Sequence, residues 1–249
     1  MSGNAARSGV SVVSRAMAVL TTFDQDHARL TLTEIARRAD LPLATAHRLV
    51  GELARAGALT RAEGGEYVVG RTLWDVGLLA PVQVDLREVA APFLQDLYGA
   101  TLATVHLAVR ERLRALYVDR LVGNRSVPVV SRVGSRLPLH STGVGKVLLA
   151  HAPADVREQA LLSLEQVTPF TVTQPARLQR QLTRVLTDGF ATTSEEMSLG
   201  ACSVAVPVAD RRGDVVAALG IVVASLRRDQ GRLVSALTVA AKGIGRSLA

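Results

Sequence analysis

The stretch TLTEIARRADLPLATAHRLVGELARAG, Thr31 to Gly57, leaves the chain few ways to fold. Leu32, Ile35, Ala36 and Ala39 recur at helical spacing, and Leu43, Ala46, Leu49, Val50 and Leu53 do so again. Between the two sets, Pro42 disfavours helical geometry at Leu41 but suits the first turn of a new helix. Two short helices joined by a tight turn are therefore expected. The first opens with a capping box, in which the Thr31 hydroxyl serves the amide of Glu34 and Glu34 reaches back. Helices this short are marginal alone, so their apolar stripes must be buried against each other and a third element. Ser14 to Phe23 supplies it, with Ala16, Val19, Leu20 and Phe23 at the same spacing.

The second helix is expected from about Pro42 to Ala56, stopped by Gly57. Its apolar residues fall within about 120° of arc, which leaves Ala44, Thr45, Arg48, Glu52 and Arg55 outward and His47 at the margin. ALTRAEGGEYVVG then reads as a hairpin around Gly64–Gly65. Helix, turn, helix and wing form a module whose second helix enters the DNA major groove. The outward residues suit that role: Ala44 allows close approach, Thr45 can donate to phosphate or meet a thymine methyl, and Arg48 can bind guanine or phosphate. Arg61 on the wing can reach phosphate. The competing interpretation of the same face is a small bundle with solvated arginines.

Charge is compatible with an anionic partner. The formal net charge is +7, and 27 of the 29 basic residues are Arg, which pairs with phosphate through two bonds at once. Residues 1–75 nevertheless hold nine arginines against eight acids, so DNA binding must rest on a few aimed contacts and on two copies of the module. The single cysteine, Cys202, excludes an internal disulfide and a cysteine-based zinc cluster. The longest apolar run, Val215 to Leu226, falls short of the roughly 20 residues of a spanning helix, and Val10 to Val13 is too short and polar for a secretory signal. The expected setting is the cytoplasm, with no membrane partner.

A connecting helix is expected over Leu73 to Ala80, stopped by Pro81, and from about Val84 the pattern turns to α/β. A helix over Asp85–Tyr98 leads to TLATVHLAV and LRALYVDRL around Glu111–Arg112. Pro175–Thr187 reads as a helix ended by Gly189, CSVAVPVAD and VVAALGIVVA as paired strands around Arg212–Gly213, and Arg228–Leu248 as a closing helix.

HSTGVGKVLLA, His140 to Ala150, looks at first like a phosphate loop. A nucleotide loop needs G-x-x-x-x-G-K followed by Ser or Thr. Here the first position is His140 and the residue after Lys146 is Val147, so both the leading glycine and the magnesium-binding hydroxyl are missing. Ser141, Thr142 and Gly143 instead lead into a helix from about Val144, where free amides and hydroxyls can converge on a carboxylate.

SRAMAVLTTF, LTLTEIARRADLPLATAHRLVGELARAGALTR and YVVG together resemble the DNA-binding domain of the IclR family of bacterial transcriptional regulators. GSRLPLHSTGVGKVLLAHAP and GFATTSEEMSLGACSVAVPVAD resemble the two distinctive segments of that family's effector-binding domain, so the likeness spans about residues 10 to 245. It implies an α+β chain: a winged helix-turn-helix domain over 1–72 (helix-turn-helix about 32–51), a linker helix over 73–83, and an effector-binding and oligomerisation domain over 84–249. The last would be a GAF/PAS-like sheet with flanking helices. The DNA-facing residues it implies are Thr31, Arg38, Leu43, Ala44, Thr45, His47, Arg48 and Arg61. Ala44 stands where many relatives have a serine, which removes one phosphate contact.

The implied effector pocket draws on Leu137, His140, Ser141, Thr142, Gly143, Val144, Thr192, Cys202, Ser203, Gly220 and Val222. Several of these are small or apolar where some relatives carry acids or hydroxyls, which suits a ligand with an apolar or aromatic body and one acidic end. The resemblance further implies palindromic operator DNA, a dimer or dimer of dimers, and no cofactor or metal. Plainer roles exist for the same side chains. Cys202 can be a small buried group, His140 can pin the loop, Lys146 can pair with an acid or lie along the helix, and of Glu195 and Glu196 one can form a salt bridge while the other is solvated.

The alternative function is a small-molecule hydrolase using Cys202 or Ser141 with His140 or His106. Against it, the sequence has no G-x-S-x-G elbow, no metal-spaced histidine pair and no acid placed to orient a histidine.

Overall fold

The computed structural model describes residues 11–24, 26–79, 84–124 and 126–248 and divides into two compact units, residues 1–82 and 83–249. In the first, α1 (Val12–Leu20) precedes α2 (Leu32–Arg38) and α3 (Leu43–Arg55). The hairpin β1 (Leu59–Arg61) and β2 (Tyr67–Val69) and then α4 (Arg71–Leu78) follow. The capping box forms, with Thr31 Oγ1 accepting from the Glu34 amide at 3.3 Å and Glu34 Oε2 accepting from the Thr31 amide at 2.8 Å. Val19, Leu30, Ile35, Leu49, Val50 and Leu59 interlock as the core. Burying one such side chain stabilises by about 1.5–3 kcal/mol, which is what holds three marginal helices together. Leu30 and Tyr67 exchange backbone hydrogen bonds of 3.1 and 2.7 Å, tying the loop before α2 to the wing.

Some expected boundaries shift. α1 starts and ends earlier than Ser14–Phe23 because Ser11 caps it, its hydroxyl accepting from the Ser14 amide at 3.0 Å. Leu43 is not part of the buried stripe; as the first residue of α3 it is 53 % exposed. The connecting helix begins at Arg71 rather than Leu73, while Ala80 and Pro81 lie outside the described residues, as does Val10.

The second unit is a six-stranded antiparallel sheet between two helical layers. In chain order it comprises α5 (Val84–Thr101), β3 (Thr104–Glu111), β4 (Arg114–Leu121), β5 (Arg136–Pro138), α6 (Gly143–Ala150), α7 (Ala154–Leu162), α8 (Pro175–Asp188), β6 (Ala191–Ser194), β7 (Cys202–Ala209), β8 (Val215–Val223) and α9 (Gln230–Ser247). The strand order is β5-β4-β3-β8-β7-β6. Of these, β5, α7 and β6 had no counterpart in the expected organisation; the two strands are three and four residues long, too short for a two-residue period to show. Among the described residues no helix is long and apolar enough to cross a membrane.

Alternation along the strands sorts the residues by size. Val105, Leu107, Val109, Val204, Val206, Val208, Leu219 and Ile221 fill the face that carries α5 and α9. The opposite face offers Ala108, Ala115, Ala205 and Ala218 to α6 and α8. Large residues on one side make a thick core. Small ones on the other let α6 lie close to the sheet, and every residue of α6 is buried.

Candidate functional site

α3 presents Ala44, His47 and Arg48 to solvent while Ala46, Leu49 and Val50 are buried. Thr45 is half-buried. Neither His47 nor Arg48 has a hydrogen-bond or ion-pair partner among the described residues, so a cation and an imidazole stand free on the outward face beside the exposed Leu43. Other implied DNA contacts are partly committed to the protein. Arg38 donates through Nε to the Thr22 carbonyl at 3.0 Å and through Nη2 to Asp24 at 2.6 Å, which fixes the end of α1 against α2. The Thr31 hydroxyl belongs to the capping box. Arg61 is exposed, with its guanidinium 6.0 Å from the centre of the Tyr67 ring.

The second unit has a cleft between the start of α6 and the sheet. Two glycines create the close approach. A side-chain carbon at Gly143 would stand 2.6 Å from Ser203 Oγ, and one at Gly220 would stand 2.9 Å from Val144 Cγ1. Thr142 caps α6, accepting from the Gly145 amide at 3.1 Å. The amides of Gly143 and Val144, the first two of the helix, have no acceptor within it. Walls come from Val129, Val130, Leu137, Val144 and Val222, and from Met197 and Ser198 in the loop after β6.

The polar groups of the cleft are neutral. His106 Nε2 lies 2.8 Å from Ser131 Oγ, and its ring meets Tyr117 edge-on with centroids 4.9 Å apart. Burial, with a smaller contribution from the Arg120 charge, lowers the His106 pKa to about 3. Burial likewise raises the Tyr117 phenol, opposed by its hydrogen bond with Thr142. Thr193 Oγ1 and Ser203 Oγ share a hydrogen bond of 2.6 Å.

Charge is paired away behind this surface. Lys146 Nζ donates to Glu196 Oε1 at 2.6 Å, with side chains only 1 % and 7 % exposed. Burial lowers the Lys146 pKa, and Glu196 opposes that shift. Thr168 and Thr171 donate to the carbonyls of Glu195 and Glu196 at 2.6 and 2.7 Å, anchoring the loop that carries Met197 and Ser198. Lys146 is thus the buried partner of an acid rather than a phosphate ligand, and Glu195 turns away to accept from the Gly200 amide at 2.8 Å.

Of the effector residues implied by sequence, the structure brings Leu137, Thr142, Gly143, Val144, Ser203, Gly220 and Val222 to the cleft. Thr192 and Cys202 stand elsewhere. Thr193 pairs with Ser203, and Ser194 with Cys202, so successive residues alternate and put Thr192 and Cys202 on the other face of the sheet. His140 and Ser141 brace the loop: His140 Nε2 lies 2.9 Å from the Glu165 carbonyl, and Ser141 donates to Met197 Sδ at 3.4 Å. Sequence reasoning missed Tyr117, Ser131 and Thr193 as cleft residues. The two-residue period anchored on Ala205 points to Ser203, and a partner strand at 191–194 would have added Thr193; nothing in the sequence marks Ser131.

Neither nucleophile of the hydrolase alternative, Cys202 or Ser141, is hydrogen-bonded to a histidine, and among the described residues no acid side chain bonds His106 or His140 to orient it. His106 is bonded to Ser131 and His140 to a backbone carbonyl, while Cys202 Sγ lies 3.6 Å from Ser194 Oγ. Among the described residues no cluster of His, Cys, Asp and Glu could hold a metal.

Comparison with known proteins agrees with both halves. Residues 12–63 match the IclR helix-turn-helix domain, and residues 80–246 match the bacterial transcriptional regulator IclR C-terminal domain. The HTH-type transcriptional regulator XynR of Escherichia coli is 32 % identical over 90 % of each chain, and KdgR of the same species is 30 % identical over 96 % of this chain and 93 % of that one. A crystal structure of an IclR homolog from Microbacterium hydrocarbonoxydans, complexed with 4-hydroxybenzoate, superposes with a TM-score of 0.90 at 36 % identity, covering 96 % of this chain and 99 % of that one. The Thermotoga maritima IclR structure gives 0.77 at 29 % identity, over 95 % and 98 % of the two chains. The relatives are regulators, not hydrolases, and this chain belongs to the IclR family as a helix-turn-helix DNA-binding transcriptional regulator.

Proposed function

We propose that this regulator senses a small carboxylate with an aromatic or apolar body and adjusts its hold on a palindromic operator accordingly. Residues 1–72 act as the reader, 73–83 as the linker and 84–249 as the sensing and oligomerisation domain. Two copies of α3 read two half-sites, with Arg48 and Thr45 meeting bases or phosphates and Arg61 meeting phosphate. The protein works in the cytoplasm as a dimer or dimer of dimers. Effector binds under the start of α6, against Gly143, Val144, Ser203, Gly220 and Val222.

The observation that carries this reading is the apolar, charge-free cleft in a chain that superposes on a homolog holding 4-hydroxybenzoate. A ligand alters operator affinity only by its differential binding to the two arrangements of the readers. The test is a gel shift on the DNA upstream of the protein's own gene, with calorimetry against small carboxylates including 4-hydroxybenzoate. An acid that both binds and changes the shift is the expected result. Binding of polyhydroxylated or cationic compounds alone would overturn the proposal.

A further inference from the structure

The face of the sheet under α6 can be followed row by row. One row runs Arg120, His106, Gly220, Ala205 across β4, β3, β8 and β7. The next runs Thr104, Val222, Ser203, Thr193 across β3, β8, β7 and β6. Six of these eight residues line the cleft, and the two that do not, Arg120 and Thr104, stand at the β4 side of their rows. Each is the direct cross-strand neighbour of a cleft residue, a separation of about 4.5–5.5 Å between side-chain origins.

Both carry an unsatisfied polar atom. Thr104 is fully buried, and its Oγ1 has no hydrogen-bond partner. The Nε of Arg120 is also buried and unpartnered, and no acid pairs with its guanidinium among the described residues. A buried polar atom without a partner costs about 1–3 kcal/mol, so two of them at diagonal positions on neighbouring strands of one sheet face call for an acceptor from outside the chain. Burial and the nearby Arg132 charge both lower the Arg120 pKa, as expected of a cation lacking a counter-ion.

Resting on the proposal that the cleft binds a small acid, we infer that Arg120, seconded by Thr104, receives the effector's carboxylate. The acid group then lies toward β4, and the ring lies over His106 and Gly220 toward Val222. The planar fork of an arginine matches a carboxylate's two oxygens, whereas the two free amides at the start of α6 then serve the other end of the ligand. The neutral Ser131–His106 pair contributes shape and hydrogen bonding, not charge.

The experiment is calorimetry on the full-length protein with 4-hydroxybenzoate and its uncharged analogue 4-hydroxybenzamide. Wild type is expected to prefer the acid. In Arg120→Gln the acid should weaken by roughly tenfold to a hundredfold while the amide is little changed, so the preference disappears. Arg120→Lys should recover part of it. Thr104→Val keeps the shape of the side chain and should weaken the acid several-fold, which provides the test if Arg120→Gln fails to fold. A wild-type preference that survives in Arg120→Gln, or that is undiminished in Thr104→Val, overturns this assignment alone and returns the carboxylate to the start of α6. A wild type that binds neither probe, or both equally, overturns the acid-sensing proposal as well.

Discussion

His106 offers the sharpest quantitative test of the cleft's electrostatics. Its ring is buried against Tyr117 and Ser131, and its pKa is lowered from 6.5 to about 3, chiefly by burial. Above pH 6.5 the imidazole is neutral in both folded and unfolded chains and adds no pH dependence. Below it, the unfolded chain binds a proton that the folded chain refuses, so stability falls as the pH drops toward 3. Each pH unit well below 6.5 is worth about 1.36 kcal/mol, so between pH 7.5 and pH 5 the second unit should lose about 2 kcal/mol through this one residue. His106→Gln keeps a hydrogen-bonding side chain toward Ser131 and removes the titration. Urea unfolding followed by far-UV circular dichroism at pH 7.5 and pH 5.0, in both proteins, gives two pH differences, and their difference isolates His106. His140, whose pKa burial also lowers, is present in both and cancels. Tryptophan fluorescence is the wrong probe, because Trp74, the sole tryptophan, lies in the other unit. Equal pH dependence in the two proteins, or a His106 imidazole resonance titrating near 6.5, would refute a buried neutral ring.

Three further outcomes follow from the same structure. Lys146→Met leaves the Glu196 carboxylate buried with neither oxygen bonded, since Oε2 already lacks a partner, and should cost about 3–5 kcal/mol. Lys146→Met combined with Glu196→Leu should recover most of that loss in urea denaturation; an equal loss in single and double variants would show that the pair's charge is irrelevant. Arg48→Ala should weaken operator binding by about 1–3 kcal/mol without lowering the melting temperature, whereas Arg38→Ala, which releases Thr22 and Asp24, should destabilise the first unit by about 1 kcal/mol. Gel shifts and thermal melts separate the two, and an Arg48→Ala protein with normal operator affinity would remove that residue from the interface. Gly143→Ala should weaken binding of 4-hydroxybenzoate by about 1–3 kcal/mol, because the added carbon meets Ser203 Oγ, and Ser203→Ala in the same chain should relieve it; calorimetry that shows no rescue would mean the collision is not the cause.

The reader was written plainly in the chain because its signals are local. A capping box four residues long, a proline before a helix and a glycine after one depend on near neighbours, and all three are where the sequence puts them. Leu43 was misjudged because periodicity assigns a direction around the helix but not a depth, and the first turn of α3 extends beyond the core. The cleft was harder. The loop from His140 to Gly143 stands out by composition, yet what faces it depends on strand pairing over long separations: Thr193 with Ser203, His106 with Gly220. A one-residue slip along an alternating strand reverses the face, which is why Thr192 is expected where Thr193 faces the cleft, and why Cys202, expected beside Ser203, does not reach it. Ser131 and the partner of Lys146 come from segments without a period of their own, so only the folded chain brings them to His106 and α6.

The charges of the second unit are divided in a way that bears on selectivity. Lys146, the cation of the loop that resembles a phosphate site, is closed off by Glu196 and is therefore not available to a ligand. Were it free, the start of α6 would be a strong site for any small anion, phosphate included, and discrimination would be poor. With the cleft lined by neutral hydroxyls and a neutral imidazole, an anion must instead find its counter-charge at the edge, where Arg120 stands one strand position from His106. A bare anion that reaches Arg120 leaves the apolar wall of Val129, Val130 and Val222 unfilled, whereas an acid with a ring attached satisfies both. Filling that wall removes about 25 cal/mol of cost per Å² of apolar surface, so a ring burying roughly 100 Å² gains about 2.5 kcal/mol over the bare anion. That gain is more than a tenfold preference, and it rests on Lys146 remaining paired.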